Sequence, residues 1–348
     1  MKACVLTDWK KLEIKDLPMP VLDEDQVLVE VLYGGICGSD ITVLNHRHLT
    51  ATVPRILCHE ILGRVKEIKT SKPVPYQVGD KVCVFPLVSC KTCGPCLTGH
   101  TSACSHLQIM GVHIDGGFTE YCKADVDSII PVPAGLPDEI AVLTEPLSVG
   151  FHSNMRAETK PGDNVLVTGG GPIGILTAVV AKYFGAKNVL LTEVNEERLK
   201  LASEMGIMTA NPLKEDVLDI VKKLTGGVGM DVVLEASGAQ ASYELAVPAC
   251  KECGTIVAVG IPSEPRAFRT NMFILKEIRM LGTRCCPKDE FARTVHMVKD
   301  IYEKKLFPLE KMISAEYDLD HCEEGLELQQ SGKNNGKILI RVKGEGIE

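Results

Sequence analysis

The sequence predicts an α/β protein in two parts: a β-rich body, and a doubly wound, parallel sheet carried by the middle of the chain. Three observations predict it. Short apolar runs, led by the alternating QVLVEVL from Gln26 to Leu32, recur at Arg64–Ile68, Lys81–Phe85 and Phe118–Cys122, divided by Gly and Pro, as strands are. After Pro161-Gly162-Asp163 the texture changes to strands alternating with helical stretches, which implies a parallel sheet. The length of 348 residues exceeds one comfortable core and leads to the expectation of two domains.

The elements of the middle part follow in order: NVLVT, a helix reaching Tyr183, the strand KNVLLTEV, a second helix from Glu196 to Met205, and the later strands DVVLEASG and GTIVAVG. From about Gly282 onward the chain holds a helix-like segment at Phe291–Glu303 and a last strand, GKILIRV. That is too little for a core of its own, so this segment is expected to rejoin the N-terminal part. No internal repeat is visible.

Composition narrows the class. An apolar fraction of 45% with 24% charged residues, and 31 glycines scattered without a tract, describes an ordinary folded protein and argues against disorder. The formal net charge of −8 and the lack of a dense Lys/Arg run leave nothing to neutralise phosphates, which excludes a nucleic-acid partner. Met1–Lys15 carries charges throughout and reads as a strand, with no export signal. The most apolar stretch, Val165–Ala186, is broken by Gly169, Gly170, Gly171, Pro172 and Gly174, which suits strand, loop and buried helix and not a membrane span. Fourteen cysteines without a signal segment, several at metal-ligand spacing, point to thiols in a reducing, cytoplasmic setting. Cys250-Lys251-Glu252-Cys253 reads as packing before a strand, against the alternative of a redox pair.

Cys90, Cys93, Cys96 and Cys104 form C-x2-C-x2-C-x7-C in a segment nearly empty of large apolar residues. Burial cannot hold such a segment. Four thiolates around one tetrahedral zinc can, with every coordination position filled, so the site is read as structural. Free thiols or a redox pair are the plainer alternatives. A nucleic-acid-binding ribbon would want basic and aromatic neighbours, which are missing.

A second set has mixed donors. Cys37 lies in GGICGSD straight after a strand, His59 and Glu60 follow in LCHE, and Glu145 stands in TEPL. Sulfur, nitrogen and oxygen donors together suit zinc, and three protein ligands leave an open position where Zn2+ acts as a Lewis acid and lowers the pKa of an alcohol. Singly, Cys37 reads equally as a buried thiol and His59 as a satisfied histidine; the combination favours a metal.

GICGSD, the His-Glu pair, the four-cysteine lobe, EPLSVG and GGGPIG together resemble the zinc-dependent medium-chain dehydrogenase family, in its sorbitol dehydrogenase-like branch, over nearly the whole chain. The resemblance implies a GroES-like catalytic domain from residues 1–152 and 283–348, with a zinc lobe at 88–106, and a Rossmann NAD-binding domain at 153–282. It implies two Zn2+ per chain. Carried over by position, Cys37, His59 and Glu60 match the catalytic ligands of that branch, while Glu145 stands where two-cysteine alcohol dehydrogenases place a ligand. Either glutamate is open as the direct ligand, the other acting through water or by exchange. Ser39 matches the hydroxyl that receives the substrate proton, its plainer reading being a turn serine. Two positions depart from the family: Cys58 replaces a usual glycine, and Thr42 replaces the relay histidine. His46 and His48 are candidates for the outer proton path, or simply solvated loop histidines.

Gly169-Gly170-Gly171-Pro172-Ile173-Gly174 satisfies G-x-G-x-x-G between a strand and a helix, the context that makes this weak pattern informative. Gly169, Gly171 and Gly174 allow the turn and close approach, Pro172 and Ile173 open the helix, and its N-terminus offers N–H groups to a pyrophosphate. Glu193, nineteen positions after Gly174, is placed to accept ribose hydroxyls and to repel a 2′-phosphate, which favours NAD over NADP. Arg198 is expected along the adenosine face. Ser237-Gly238 and Val259-Gly260-Ile261 end two later strands and are candidates for the nicotinamide side, or ordinary turns.

GVHIDGGFTEY and LGTRCCPKDEF look closest to dehydrogenases of sugar acids, such as L-galactonate or L-gulonate 5-dehydrogenases, with polyol dehydrogenases next. His113 and Arg284 are candidates for a substrate carboxylate or the cofactor, with a turn cap and a structural bridge as plainer readings. Cys285 and Cys286 make that wall more apolar and suit a bulkier secondary alcohol. The expected reaction is reversible oxidation of a secondary hydroxyl by NAD. Oxidation of threonine or of a hydroxysteroid-like alcohol is the alternative reaction; a redox-sensing binding protein is the non-enzyme reading. The family commonly forms dimers or tetramers, so a homo-oligomer is expected.

Overall fold

The computed structural model describes residues 1–343. It divides into two compact units, one of Met1–Glu145 with the segment from Pro287 onward, the other of Pro146–Cys286.

The first unit is β-rich. Its main sheet runs in the order Ile129–Pro131, Lys81–Val84, Glu60–Lys69, Gln26–Ile36, Lys337–Arg341 and Ile313–Asp318, with Tyr121–Asp125 also paired to Gln26–Ile36. The long strand Gln26–Ile36 is central because its apolar run extends through Tyr33, Gly34 and Gly35, past the alternating QVLVEVL. All but its first residue and Glu30 are buried. The last strand, Lys337–Arg341, returns from the far end of the chain and pairs antiparallel to it, with Ile338 opposite Ile36 and Arg341 opposite Tyr33. Between them lies a core that includes Val27, Val29, Val31, Ile36, Ile61, Phe118, Ile338 and Ile340. The N-terminus is not one strand but a hairpin, Lys2–Asp8 and Lys11–Asp16, turned at Lys10 with φ of +63°.

The second unit is a six-stranded, all-parallel sheet in the order Met208–Ala210, Asn188–Thr192, Asn164–Thr168, Met230–Glu235, Cys250–Ala258 and Arg279–Gly282. In chain order this is 3-2-1-4-5-6, the doubly wound Rossmann arrangement. Strands such as NVLVT and NVLLT lack strict alternation because helices cover both faces and every side chain after the first is buried. The switch point falls between Asn164–Thr168 and Met230–Glu235, and ligands of such sheets bind outside the carboxyl ends there. No helix among the described residues is long and apolar enough to cross a membrane.

Candidate active site and zinc centres

Cys37 follows the central strand Gln26–Ile36 and caps the short helix Gly38–Leu44. Its backbone N–H donates to Asp40 Oδ2 at 2.8 Å, and the N–H of Cys58 donates to Oδ1 of the same carboxylate at 3.1 Å. Asp40 is fully buried, so one carboxylate ties the loop that carries Cys37 to the loop that presents His59. Burial pushes its pKa up, against the opposing pull of His59 and of the two N–H groups.

Cys58 has φ of +83°, in the left-handed region that L side chains rarely adopt. This accounts for the glycine usual at this position, since glycine takes such a backbone without strain, and makes Cys58 a strained replacement. The buried thiol lies 3.4 Å from the carbonyl of Glu60 and 3.6 Å from that of Gly35.

Glu60 starts the neighbouring strand, directly opposite Gly35. A Cβ on residue 35 would lie 2.1 Å from Glu60 Oε2, so the glycine leaves the space the carboxylate fills. Ligand atoms of Cys37, His59 and Glu60 lie within 4.8 Å of one another, a group that does not include Glu145. His59 Nδ1 and Glu60 Oε2 are buried and make no hydrogen bond among the described residues. Burial opposes a charge on His59, yet the Cys37 thiol, Glu145 and Asp40 push its pKa well above the ordinary value. Convergent S, N and O donors, an unpartnered carboxylate oxygen and this surplus of negative charge fit a divalent cation.

Lys337 was not singled out in the sequence. It begins the last strand, its Nζ lies 2.5 Å from Glu60 Oε1 and 2.6 Å from the carbonyl of Ile36, and its side chain is only 5% exposed. Burial alone would lower its pKa, but Glu60, Cys37 and Glu145 carry it upward, so it is charged. A lysine opening an otherwise apolar strand, GKILIRV, was the available signal. Asp40, three residues after Cys37 in GSD, was the other.

Glu145 stands at the first turn of helix Thr144–Ala157. Burial of its carboxyl raises its pKa to about 7, with His59 pulling the other way and Glu60 adding to the rise. Ser39 Oγ is buried and makes no hydrogen bond among the described residues. Thr42 Oγ1 turns back onto its own helix, donating to the carbonyl of Gly38 at 3.1 Å. His46 stacks on Trp9 with ring centroids 4.0 Å apart. His113 Nδ1 accepts from the N–H of Ile109, and its Nε2 lies 2.9 Å from Thr50 Oγ1, with His48 edge-on at 5.4 Å.

The four cysteines of the lobe also converge, their sulfurs within 4.8 Å of one another. Cys104 Sγ accepts from the N–H groups of Cys90 and His106, both at 3.3 Å. Backbone and hydroxyl donors of Thr92 hold the Cys90 thiol down to about 5, which favours the thiolate a metal needs. No disulfide joins any of the fourteen cysteines, all of which lie among the described residues.

In the second unit Gly171 caps helix Pro172–Tyr183, whose first turn carries Ile173 and Gly174. A Cβ on Gly174 would lie 1.9 Å from the carbonyl of Gly169, so the loop tolerates no other residue there without moving. Glu193 follows the strand Asn188–Thr192 and folds onto this loop, accepting from the N–H of Gly170 at 2.8 Å, with Arg198 Nη1 at 4.0 Å. A buried carboxylate missed in the sequence, Glu235, organises the other strand ends. It accepts from the N–H groups of Ser237 and Gly238, each at 2.9 Å, and from Ser237 Oγ at 2.6 Å, while its carbonyl accepts from Val259 and Gly260. Ile261 is 93% exposed. Arg284 is exposed two residues past the strand Arg279–Gly282, Cys285 is half-buried and Cys286 buried.

Comparison with known proteins agrees with both units. Residues 23–134 match the alcohol dehydrogenase GroES-like domain and residues 172–300 match the zinc-binding dehydrogenase model. An uncharacterized zinc-type alcohol dehydrogenase-like protein of Haemophilus influenzae is 36% identical, covering 86% of this chain and 87% of that protein. Sorbitol dehydrogenase of Bacillus subtilis is 30% identical, covering 98% and 97%. The crystal structure of L-idonate 5-dehydrogenase from Escherichia coli superposes with a TM-score of 0.85 at 26% identity, covering 98% of each chain. This chain belongs to the zinc-type medium-chain alcohol dehydrogenase family, oxidoreductases whose cofactor is zinc.

Proposed function

We propose that this chain oxidises a secondary hydroxyl of a polyol or sugar acid, reversibly, with NAD as hydride acceptor. The convergence of Cys37, His59 and Glu60 carries the reading. One thiolate, one imidazole and one carboxylate make a three-ligand set that leaves a position for substrate. Zinc bound there supplies a Lewis acid that favours the deprotonated form of a hydroxyl.

The chain's own residues do the rest. Asp40 fixes the backbone at Cys37 and Cys58, so the thiol and the imidazole are presented from a rigid frame. Ser39 Oγ, with no partner among the described residues, is the hydroxyl available to take the substrate proton. Glu60 is the direct metal ligand and Glu145 the carboxylate that exchanges or acts through water. Cys90, Cys93, Cys96 and Cys104 hold the structural zinc. Gly169–Gly174 receives the pyrophosphate, Glu193 with Arg198 the adenosine side, and Ser237, Gly238, Val259, Gly260, Ile261 and Arg284 the nicotinamide side.

The similarity to sorbitol dehydrogenase and L-idonate 5-dehydrogenase supports a polyhydroxylated substrate. The protein acts in the cytoplasm as a homo-oligomer. The test is the rate of NADH formation by the zinc-loaded protein across aldonates, polyols, threonine and hydroxysteroids. Highest kcat/KM on an aldonate or polyol is expected. Preference for threonine or a steroid would overturn the substrate class, and no turnover on any of them would overturn the reading itself.

A further inference from the structure

We propose that Lys337 is the positioning residue that makes Glu60, and not Glu145, the third metal ligand, by holding one oxygen of Glu60 and leaving the other to the metal. The proposal rests on the zinc reading above.

The sheet register brings the three groups together. Gly35 faces Glu60 on one side of the central strand, and Ile338 faces Ile36 on the other, so Lys337 and Glu60 flank the strand end that leads into Cys37. The ammonium of Lys337 is anchored twice, to the Ile36 carbonyl and to Glu60 Oε1. Its side chain is 5% exposed and that of Glu60 is 1% exposed, so neither charge can turn to water. Separating such a pair leaves an uncompensated buried charge. Oε1 is therefore committed. Oε2 is the remaining oxygen, buried, without a hydrogen bond among the described residues, in the space that Gly35 leaves open. A carboxylate held this way has one rotamer and one oxygen to give. Glu145 comes from a different element, the helix Thr144–Ala157, and stands outside the group of converging ligand atoms. Partners that hold a ligand in place contribute about 10–100-fold in metal affinity.

The experiment compares wild type, Lys337→Met and Lys337→Arg by chelator competition for zinc and by the visible spectrum of the cobalt(II)-substituted protein. The lobe zinc is an internal control, and melting temperature reports folding. Lys337→Met should weaken zinc at this centre about tenfold or more, shift the cobalt bands and leave the lobe zinc in place. Lys337→Arg, which keeps the charge and the donors, should restore affinity to within about threefold of wild type. Unchanged affinity and an unchanged cobalt spectrum in Lys337→Met overturn the proposal. Should that variant not fold, a crystal structure of the zinc-loaded wild type decides: Oε2 of Glu60 on the metal with Oε1 on Lys337 supports it, and Glu145 on the metal overturns it. Because the readout is metal affinity, loss of zinc in Lys337→Met supports the proposal even if no alcohol is oxidised.

Discussion

The backbone N–H of Gly170 donates to Glu193 Oε2 at 2.8 Å, while Oε1 accepts from the N–H groups of Val194 and Asn195 at 2.7 and 3.0 Å. The acid read as the cofactor selector is thus fastened to the glycine loop itself. A Cβ on residue 170 would come within 2.8 Å of the Glu193 side chain, so the two positions act as one. Gly170→Ala should push the carboxylate aside and raise KM for NAD about tenfold, about 1.4 kcal/mol, with kcat little changed. Glu193→Ala should raise KM similarly and improve use of NADP relative to NAD. Steady-state kinetics with both cofactors checks this; an unchanged NAD/NADP ratio in Glu193→Ala would remove the selector role.

Cys58 carries a stiff requirement of a different kind. A left-handed backbone at a residue with a Cβ costs about 1–2 kcal/mol, and the buried thiol returns part of this through packing. Cys58→Gly should therefore leave stability within about 1 kcal/mol of wild type, since relief of strain offsets the lost side chain. Cys58→Val, branched at Cβ, should cost about 1–3 kcal/mol more than Cys58→Gly. Denaturant unfolding of the two variants measures the difference, and equal midpoints would contradict the strain argument.

These two sites show what the sequence makes legible and what it does not. Donors at regular spacing are visible because a metal dictates residue type, and the glycine loop is visible because its neighbours on the chain supply strand and helix. Lys337 and Asp40 act through partners far along the chain or through buried backbone, and nothing local distinguishes them from a strand-end lysine and a turn aspartate. The same holds for Glu235, whose role depends on two strand ends meeting. The N-terminal hairpin reads in the sequence as one strand because its turn, at Lys10, lacks Gly, Asn and Pro and carries Asp8 as its one usual turn residue.

The lobe makes a prediction about metal removal. Between residues 88 and 106 only Ser102 and Cys104 are buried, and Leu97 is 74% exposed, so little besides the thiol cluster holds the segment. Chelation that strips this zinc, or Cys93→Ser, should open the lobe to protease cleavage while the parallel-sheet unit keeps its resistance. Mass spectrometry of limited digests locates the cuts. Cleavage elsewhere first, with the lobe intact, would argue that packing and not metal maintains it.

A pH effect follows from Asp231. Burial alone would raise its pKa, but Lys251 Nζ at 2.5 Å and the N–H and side chain of Asn164 at 2.7 and 3.0 Å hold it below the ordinary value. A folded-state pKa below the unfolded one means stabilisation that is complete above about pH 4 and is lost as pH falls through the folded value. Asp231→Asn should be less stable than wild type at pH 7, with the gap closing in acid. Urea midpoints across pH 2–7 test this, and a gap independent of pH would assign the loss to packing.

The strand Arg279–Gly282 closes one edge of the parallel sheet, paired among the described residues only to Cys250–Ala258. Helix Thr270–Lys276, which leads into it, buries none of its residues and leaves Ile274 80% and Leu275 73% exposed. An open strand edge beside exposed aliphatic side chains is a surface that folded proteins usually cover. A second copy of the chain, related by a two-fold axis, would pair edge to edge and bury both aliphatic patches symmetrically. Sedimentation should therefore report a dimer or a multiple of it. Ile274→Glu with Leu275→Glu should halve that mass while zinc content is retained, because both positions lie far along the chain from every zinc ligand. A doubly substituted protein of unchanged mass would move the interface to another face.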